Sequence, residues 1–193
     1  MTGTPTDPPD SARRLLRRRL LAERVVLDSG HCAALNHAAL ARHLQTVVAR
    51  LEPQCLGLYW PIRSEFNAPA ALAVDVMRAG GALALPFTRR TPREMHYRRW
   101  DGSPPAVPDE CGIASTDGES VVPDVVLAPC VGFTDQGYRL GYGGGYFDRW
   151  MAAHPEATVV GVAWSATRIE ASLFGVQAHD KALMLIVTEL GVV

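Results

Sequence analysis

Five short, nearly continuous apolar runs recur along the chain, separated by helical or turn-forming stretches: CLGLYW at 55–60, ALALP at 82–86, VPDVVLAP at 122–129, TVVGVA at 158–163 and MLIVTE at 184–189. A strand that is apolar at nearly every position has no face to give to water, so it must be covered on both sides. Between the runs, apolar residues at helical spacing predict helices over 12–24, about 31–51, 68–79 and about 145–153. Pro53 and Gly80-Gly81 stop two of these. Strands alternating with helices predict an α/β fold of three layers, a mostly parallel sheet with helices on both faces.

Other segments refine this frame. EMHYRRW (94–100) alternates in the manner of a strand with two different faces, and ALALP is expected to close on Pro86. Residues 101–120, rich in Gly, Pro, Ser and Asp, read as loop and as the sole candidate boundary. A flexible tail over 1–10 and a single domain over 11–193 follow, since 193 residues with 48% apolar and 20% charged content suit one full core. No run approaches the roughly 20 apolar residues that span a bilayer. The N-terminus lacks the pattern of a secretory leader. Cys32, Cys55, Cys111 and Cys130 are scattered, with no metal-binding spacing, and Cys130 reads as core. A cytoplasmic, reduced, monomeric protein is expected. A formal charge of −1 argues against bulk nucleic-acid binding.

Two segments carry chemistry. ARRLLRRRLLAER (12–24) is an amphipathic helix on which Leu16 and Leu20 lie four apart, as do Arg13 and Arg17. The second segment is RLGYGGGYFDR (139–149), where four glycines in five positions lead into a helix. Such a run exposes backbone N–H groups to an anion, and Arg139 and Arg149 add positive charge on either side, which suits polyphosphate. Asp148 falls in the first turn of the helix, where a carboxylate is favoured and a phosphate-bound Mg²⁺ is within reach. The spacing fits neither a dinucleotide fingerprint nor a Walker A loop. From the residues alone, a purely structural glycine turn remains equally open, and a basic helix can be a solvated face.

RLGYGGGYFDR closely resembles the signature of 5-formyltetrahydrofolate cyclo-ligases (methenyltetrahydrofolate synthetases), with Phe147 where the family has a second Tyr. The resemblance runs from about residue 12 to 192. Arg13, Leu16 and Arg17 match the family's Lys-x-x-Leu-Arg, with Arg for the Lys. Of the 19 basic residues here all but Lys181 are Arg. LYWPIRSEFNA (58–68) matches the folate-binding turn, with Trp60 and Glu65 at the substrate positions and Asn67 and Ala68 departing from the pattern. Met95, Tyr97 and Trp100 match a strand beside the folate. His179-Asp180 matches the family's His-Asp pair, and Met184 replaces a later aspartate.

The resemblance implies a NagB/RpiA/CoA transferase-like fold and ATP-driven, Mg²⁺-dependent cyclisation of 5-formyltetrahydrofolate to 5,10-methenyltetrahydrofolate. It assigns ATP to Arg13, Arg17, Arg139, Gly141, Tyr142, Gly143, Gly144, Gly145, Tyr146 and Phe147. It assigns folate to Trp60, Glu65, Met95, Trp100, Gly144 and Tyr146, metal to Asp148 and Asp180, and catalysis to Arg139 and Tyr146. Two other readings compete. One is a binding protein of the same fold without turnover; the other is a nucleic-acid module using the arginine helix.

Overall fold

The computed structural model describes residues 10–177 and 180–193, so residues 1–9 of the expected tail and His179 lie outside the described residues, while Asp10 already belongs to the first helix. Helices α1 (Asp10–Ser29), α2 (Ala33–Leu51), α3 (Ala68–Arg78), α4 (Tyr146–Ala153) and α5 (Ala171–Phe174) alternate with strands. The strands are β1 (Cys55–Gly57), β2 (Ala82–Arg89), β3 (Glu94–Trp100), β4 (Val107–Pro108), β5 (Ala114–Ser115), β6 (Ser120–Val121), β7 (Val125–Pro129), β8 (Gly132–Phe133), β9 (Arg139–Leu140), β10 (Thr158–Val162), β11 (Leu185–Thr188) and β12 (Gly191–Val192).

Eight of these strands form one mixed sheet in the order β12-β11-β10-β7-β1-β2-β3-β6. The five from β11 to β2 are parallel, while β12, β3 and β6 add antiparallel edges. These parallel strands are the apolar runs. Leu56, Leu83, Leu85, Val125, Leu127, Val160 and Val162 pack against α2 and α3. Their alternate neighbours Ala84, Val126, Ala128 and Val159 pack on the other face with Trp150 and Met151 of α4. Each side chain fully removed from water, such as Leu40 and Leu44 of α2, contributes about 1.5–3 kcal/mol.

Helix α1 does not cover a sheet face. It closes one end of the molecule, where Leu20 packs with Val131, Leu140, Ile169 and Phe174. Gly132 permits this close approach, since a Cβ there would come within 2.6 Å of Leu20.

Element boundaries depart from the sequence-based expectation in instructive places. Helix α1 continues to Ser29, five residues beyond the expected end, because Leu27 finds the main core. Strand β2 does not close on Pro86 but runs to Arg89. Pairing with β1 has already stopped at Ala84, so the missing N–H of Pro86 costs that neighbour nothing, and β3 pairs alongside throughout. Strand β1 is short because Leu58 makes a last bond to Ala84 and the chain then turns away. The 101–120 segment is not all loop. It holds the β4–β5 hairpin, and Ser115 Oγ donates to the Pro86 carbonyl.

The chain passes from β1 to β2 on one side and, after β3 and β6, returns as β7 on the other side of β1. In open α/β sheets this switch point leaves a crevice beyond the carboxyl ends of the strands. Tyr59, Trp60, Pro86, Thr88 and Pro129, which follow or end those three strands, line a cavity of about 480 Å³ there.

Candidate active site

One wall of the cavity is the glycine loop. Strand β9 pairs with β8 and delivers Arg139 to the cavity edge. Gly141, Tyr142, Gly143, Gly144 and Gly145 then line it in succession. Gly145, at φ 63, is the N-cap of α4 and supplies no side-chain cap, so the first-turn N–H groups stay available to an anion. Gly143 also sits at positive φ (92). Arg139 is buried; one guanidinium nitrogen lies 3.0 Å from Asp148 Oδ1, its plane lies over the Phe147 ring, and its Nε has no hydrogen-bond partner. Phe147 thus serves through its ring. Tyr146 reaches across the mouth, donating to the Arg89 carbonyl at 3.2 Å and lying 3.3 Å from Cys111 Sγ. The bond to Cys111 raises the phenol's pKa.

Helix α1 supplies a second wall. Arg13 and Arg17, one turn apart, both line the cavity. Arg17 Nε donates to the Gly141 carbonyl at 2.8 Å. Arg13 is buried over the Phe174 ring, bonds the Gly175 carbonyl and the Gln177 amide oxygen, and forks onto Asp180. The arginine helix therefore turns part of its charge inward instead of presenting one solvated face.

The third wall is apolar. Trp60, Ile62 and Met95 line it around Glu65. Glu65 Oε2 accepts from the Ile62 N–H at 2.8 Å, whereas Oε1 is buried without a partner. Burial pushes this carboxyl up from the ordinary range, and the Ile62 N–H, the Tyr142 hydroxyl and the nearby Arg24 and Arg63 pull it partly back. A buried acceptor without a donor, on a cavity wall, is a place for a ligand N–H.

Trp100 is a correction, because it does not line the cavity. Met95 and Tyr97 share one face of β3, and Trp100, five residues past Met95, points to the other. It packs edge-on behind Trp60 at 6.0 Å and donates to the Ser103 carbonyl. Arg149 flanks the loop from outside the cavity, folded back onto the Gly144 carbonyl at 2.6 Å. All the other expected site residues line the cavity.

Several residues in or behind the cavity wall carried no signal in isolation. Asp109, buried, accepts from the N–H groups of Thr88, Cys111 and Ile113 and holds the 109–113 loop against the cavity. Its placement between Pro108 and Gly112 is an ordinary turn pattern that names no ligand. Arg24, at 2% exposed, bonds Ser64 and Tyr142. Cys130 is core as expected; burial pushes its thiol up to about 12. All four cysteines are free thiols. Among the described residues, no helix is long and apolar enough to cross a membrane.

Asp148 and Asp180, both on the cavity wall, can offer carboxylate oxygens to a metal. Among the described residues, no group of three or more His, Cys, Asp or Glu side chains gathers to hold an ion unaided. Two carboxylates with phosphate oxygens and water fit the donor preference of Mg²⁺. Each carboxylate is at present neutralised by an arginine, Asp148 by Arg139 and Asp180 by Arg13. A metal–phosphate ligand can take over both halves of such pairs, since the arginines suit phosphate and the carboxylates suit the cation.

A sequence model of the 5-formyltetrahydrofolate cyclo-ligase family matches residues 9–189. A search of curated proteins gave no significant match. Among solved structures, the chain is similar to a 5,10-methenyltetrahydrofolate synthetase from Mycoplasma pneumoniae, at 20% identity and a TM-score of 0.75, over 92% of this chain and 98% of that one. It is also similar to the 5,10-methenyltetrahydrofolate synthetase of Aquifex aeolicus, at 29% identity and a TM-score of 0.75, over 93% of this chain and 91% of that one.

Proposed function

The chain belongs to the 5-formyltetrahydrofolate cyclo-ligase family, and from that premise we propose that it converts 5-formyltetrahydrofolate to 5,10-methenyltetrahydrofolate, with ATP going to ADP and phosphate. The observation that carries this reading is the joining of two unlike chemistries in one cavity. Anion-binding backbone and arginines face an apolar pocket that ends in a carboxylate oxygen awaiting a donor.

The roles follow from the residues. Arg13, Arg17 and Arg139, with the amides of Gly143 to Tyr146, hold the triphosphate. Glu65 accepts the amino and N–H edge of the pterin, while Trp60 and Met95 cover its faces and Trp100 braces Trp60 from behind. Asp148 and Asp180 would hold Mg²⁺, which, when bound, neutralises charge on the phosphates. The formyl oxygen of the substrate is a poor leaving group. Transfer of the γ-phosphoryl group onto it makes it a good one; N-10 then attacks the formyl carbon and gives up its proton, the C–O bond breaks as the ring closes, and phosphate departs with that oxygen. The protein's part is positioning and charge stabilisation, with Arg139 beside the transferring group and Tyr146 closing the mouth against water. No protein nucleophile takes part. We assign the layering to the NagB/RpiA/CoA transferase-like group, and the setting to a monomer in the reducing cytoplasm.

The test is the absorbance assay for methenyltetrahydrofolate with purified protein, 5-formyltetrahydrofolate and Mg²⁺. Product is expected only when ATP is added. Binding of both ligands without product would favour the non-catalytic homologue instead.

A further inference from the structure

Arg24 sits at the far end of α1 from Arg13, 2% exposed, in a place where an aliphatic side chain would pack at less cost. Its charge is used in two directions. Nε donates to Ser64 Oγ at 3.1 Å, and a terminal nitrogen donates to the Tyr142 hydroxyl at 2.5 Å. These partners lie 40 and 118 residues away in the chain. Tyr142 stands between Gly141 and Gly143 in the glycine loop, and Ser64 immediately precedes Glu65. Helix α1 also grips the loop one residue earlier, through Arg17 and the Gly141 carbonyl. Arg63 lies over the other reach of the Tyr142 ring, 5.5 Å from its centre. Glu65 is thereby fixed from both sides, by Ile62 N–H on its own oxygen and by Arg24 on its neighbour.

We propose that Arg24 is a positioning residue that ties the glycine loop to the Glu65 turn, so that nucleotide seated on the loop tightens the hold on the reduced folate. The proposal rests on the functional reading above and adds to it a coupling between the two ligands. A planar guanidinium suits the task because it offers rigidly spaced donors to two segments at once, which a lysine ammonium on a flexible stem does not. Arg24 need not touch substrate. Its effect passes through Ser64 and through the Tyr142 hydroxyl, which also acts on the Glu65 carboxylate. Coupling free energies between sites commonly correspond to factors of about 5–150, and linkage requires the folate to tighten nucleotide by the same factor.

Titration calorimetry of 5-formyltetrahydrofolate binding, with and without a non-hydrolysable ATP analogue and Mg²⁺, tests this on the intact chain. In the unaltered protein the nucleotide is expected to tighten folate about tenfold. In Arg24→Lys and in Tyr142→Phe that factor is expected to fall below about threefold, and the double variant should lose no more than either single one, since all three break one chain of bonds. Tyr142→Phe keeps the ring and the Arg24–Ser64 bond and is expected to lower the melting temperature by only a few degrees, so it decides the matter even if Arg24→Lys folds poorly. A purely structural Arg24 would lower the melting temperature and leave the factor intact, and that result overturns the proposal. So does an unaltered protein that binds both ligands independently, with the functional reading left standing. An unaltered protein that binds neither ligand overturns the functional reading and the coupling together.

Discussion

On the proposed nucleotide wall, buried charge meets opposite charge: Arg139 lies against Asp148, and Arg13 against Asp180. On the proposed folate wall, Glu65 keeps one buried oxygen outside any well-formed hydrogen bond, with the Tyr142 hydroxyl near the carboxylate and Trp60, Ile62 and Met95 around it. The first arrangement costs little to maintain, because each ion is compensated where it stands. Binding there is an exchange of partners. The second carries a standing desolvation cost, which a donor on the ligand removes. One wall is built for a charged ligand that arrives with its own cation, the other for a neutral ring with an N–H edge. The backbones differ in the same sense. The nucleotide wall is a loop with two glycines at positive φ, while Met95 comes from a strand and Glu65 from a turn pinned by hydrogen bonds.

The sharpest way to break this contrast is Asp148→Asn. Turnover is expected to fall by about a hundredfold or more, the scale of losing one aligned electrostatic group. The amide oxygen still accepts from Arg139, so the melting temperature should move by no more than about 3 °C. Parent-like turnover in the absorbance assay would remove Asp148 from the chemistry. Next in size is Arg17→Ala, which deletes a charge-assisted contact and one grip on the loop. The KM for ATP should rise about tenfold or more, while folate affinity measured without nucleotide stays within about twofold. A folate effect of equal size would mean that the two walls are not chemically separate.

The smallest effect sharpens the other side. Glu65→Gln should weaken folate about tenfold, since a carboxylate acceptor becomes a neutral one, and should leave nucleotide affinity unchanged. It should also stabilise the fold. Burial raises the Glu65 pKa in the folded state, so the native protein binds the proton more tightly than the unfolded chain does. Stability therefore falls as pH rises from the unfolded carboxylate range through the raised folded value, and the full penalty is present at neutral pH. The Gln variant escapes it. Its melting temperature should exceed the parent's by about 2–4 °C at pH 8, and the gain should vanish near pH 4 in a calorimetric pH series. A Gln variant less stable than the parent at pH 8 would mean that the carboxylate is compensated after all.

Much of this site was legible because its parts are local. The glycine loop runs straight into α4, so anion-binding backbone, Arg139 and Asp148 are contiguous in sequence. Arg13 and Arg17 sit one helical turn apart, and Glu65 lies in a single turn. The resemblance groups Trp100 with Met95, but strand parity puts residues 95 and 100 on opposite faces of β3. Arg24 was unreadable, since a sixth arginine on a basic helix looks like any other until the chain around Ser64 and Tyr142 has folded onto it. The 109–113 loop was hidden for the same reason: its composition says turn, and only packing brings it beside Tyr146.

What the sequence determined by itself was the layered α/β frame and the type of chemistry at each segment. Apolar runs must be covered on both faces, and glycine-rich backbone can approach an anion, whatever lies around them. Which side chains share a wall, which charges are matched and which acceptor is left without a donor were settled only by the tertiary structure. Burial and pairing depend on what other segments deliver to the same few ångströms, and no local pattern encodes that.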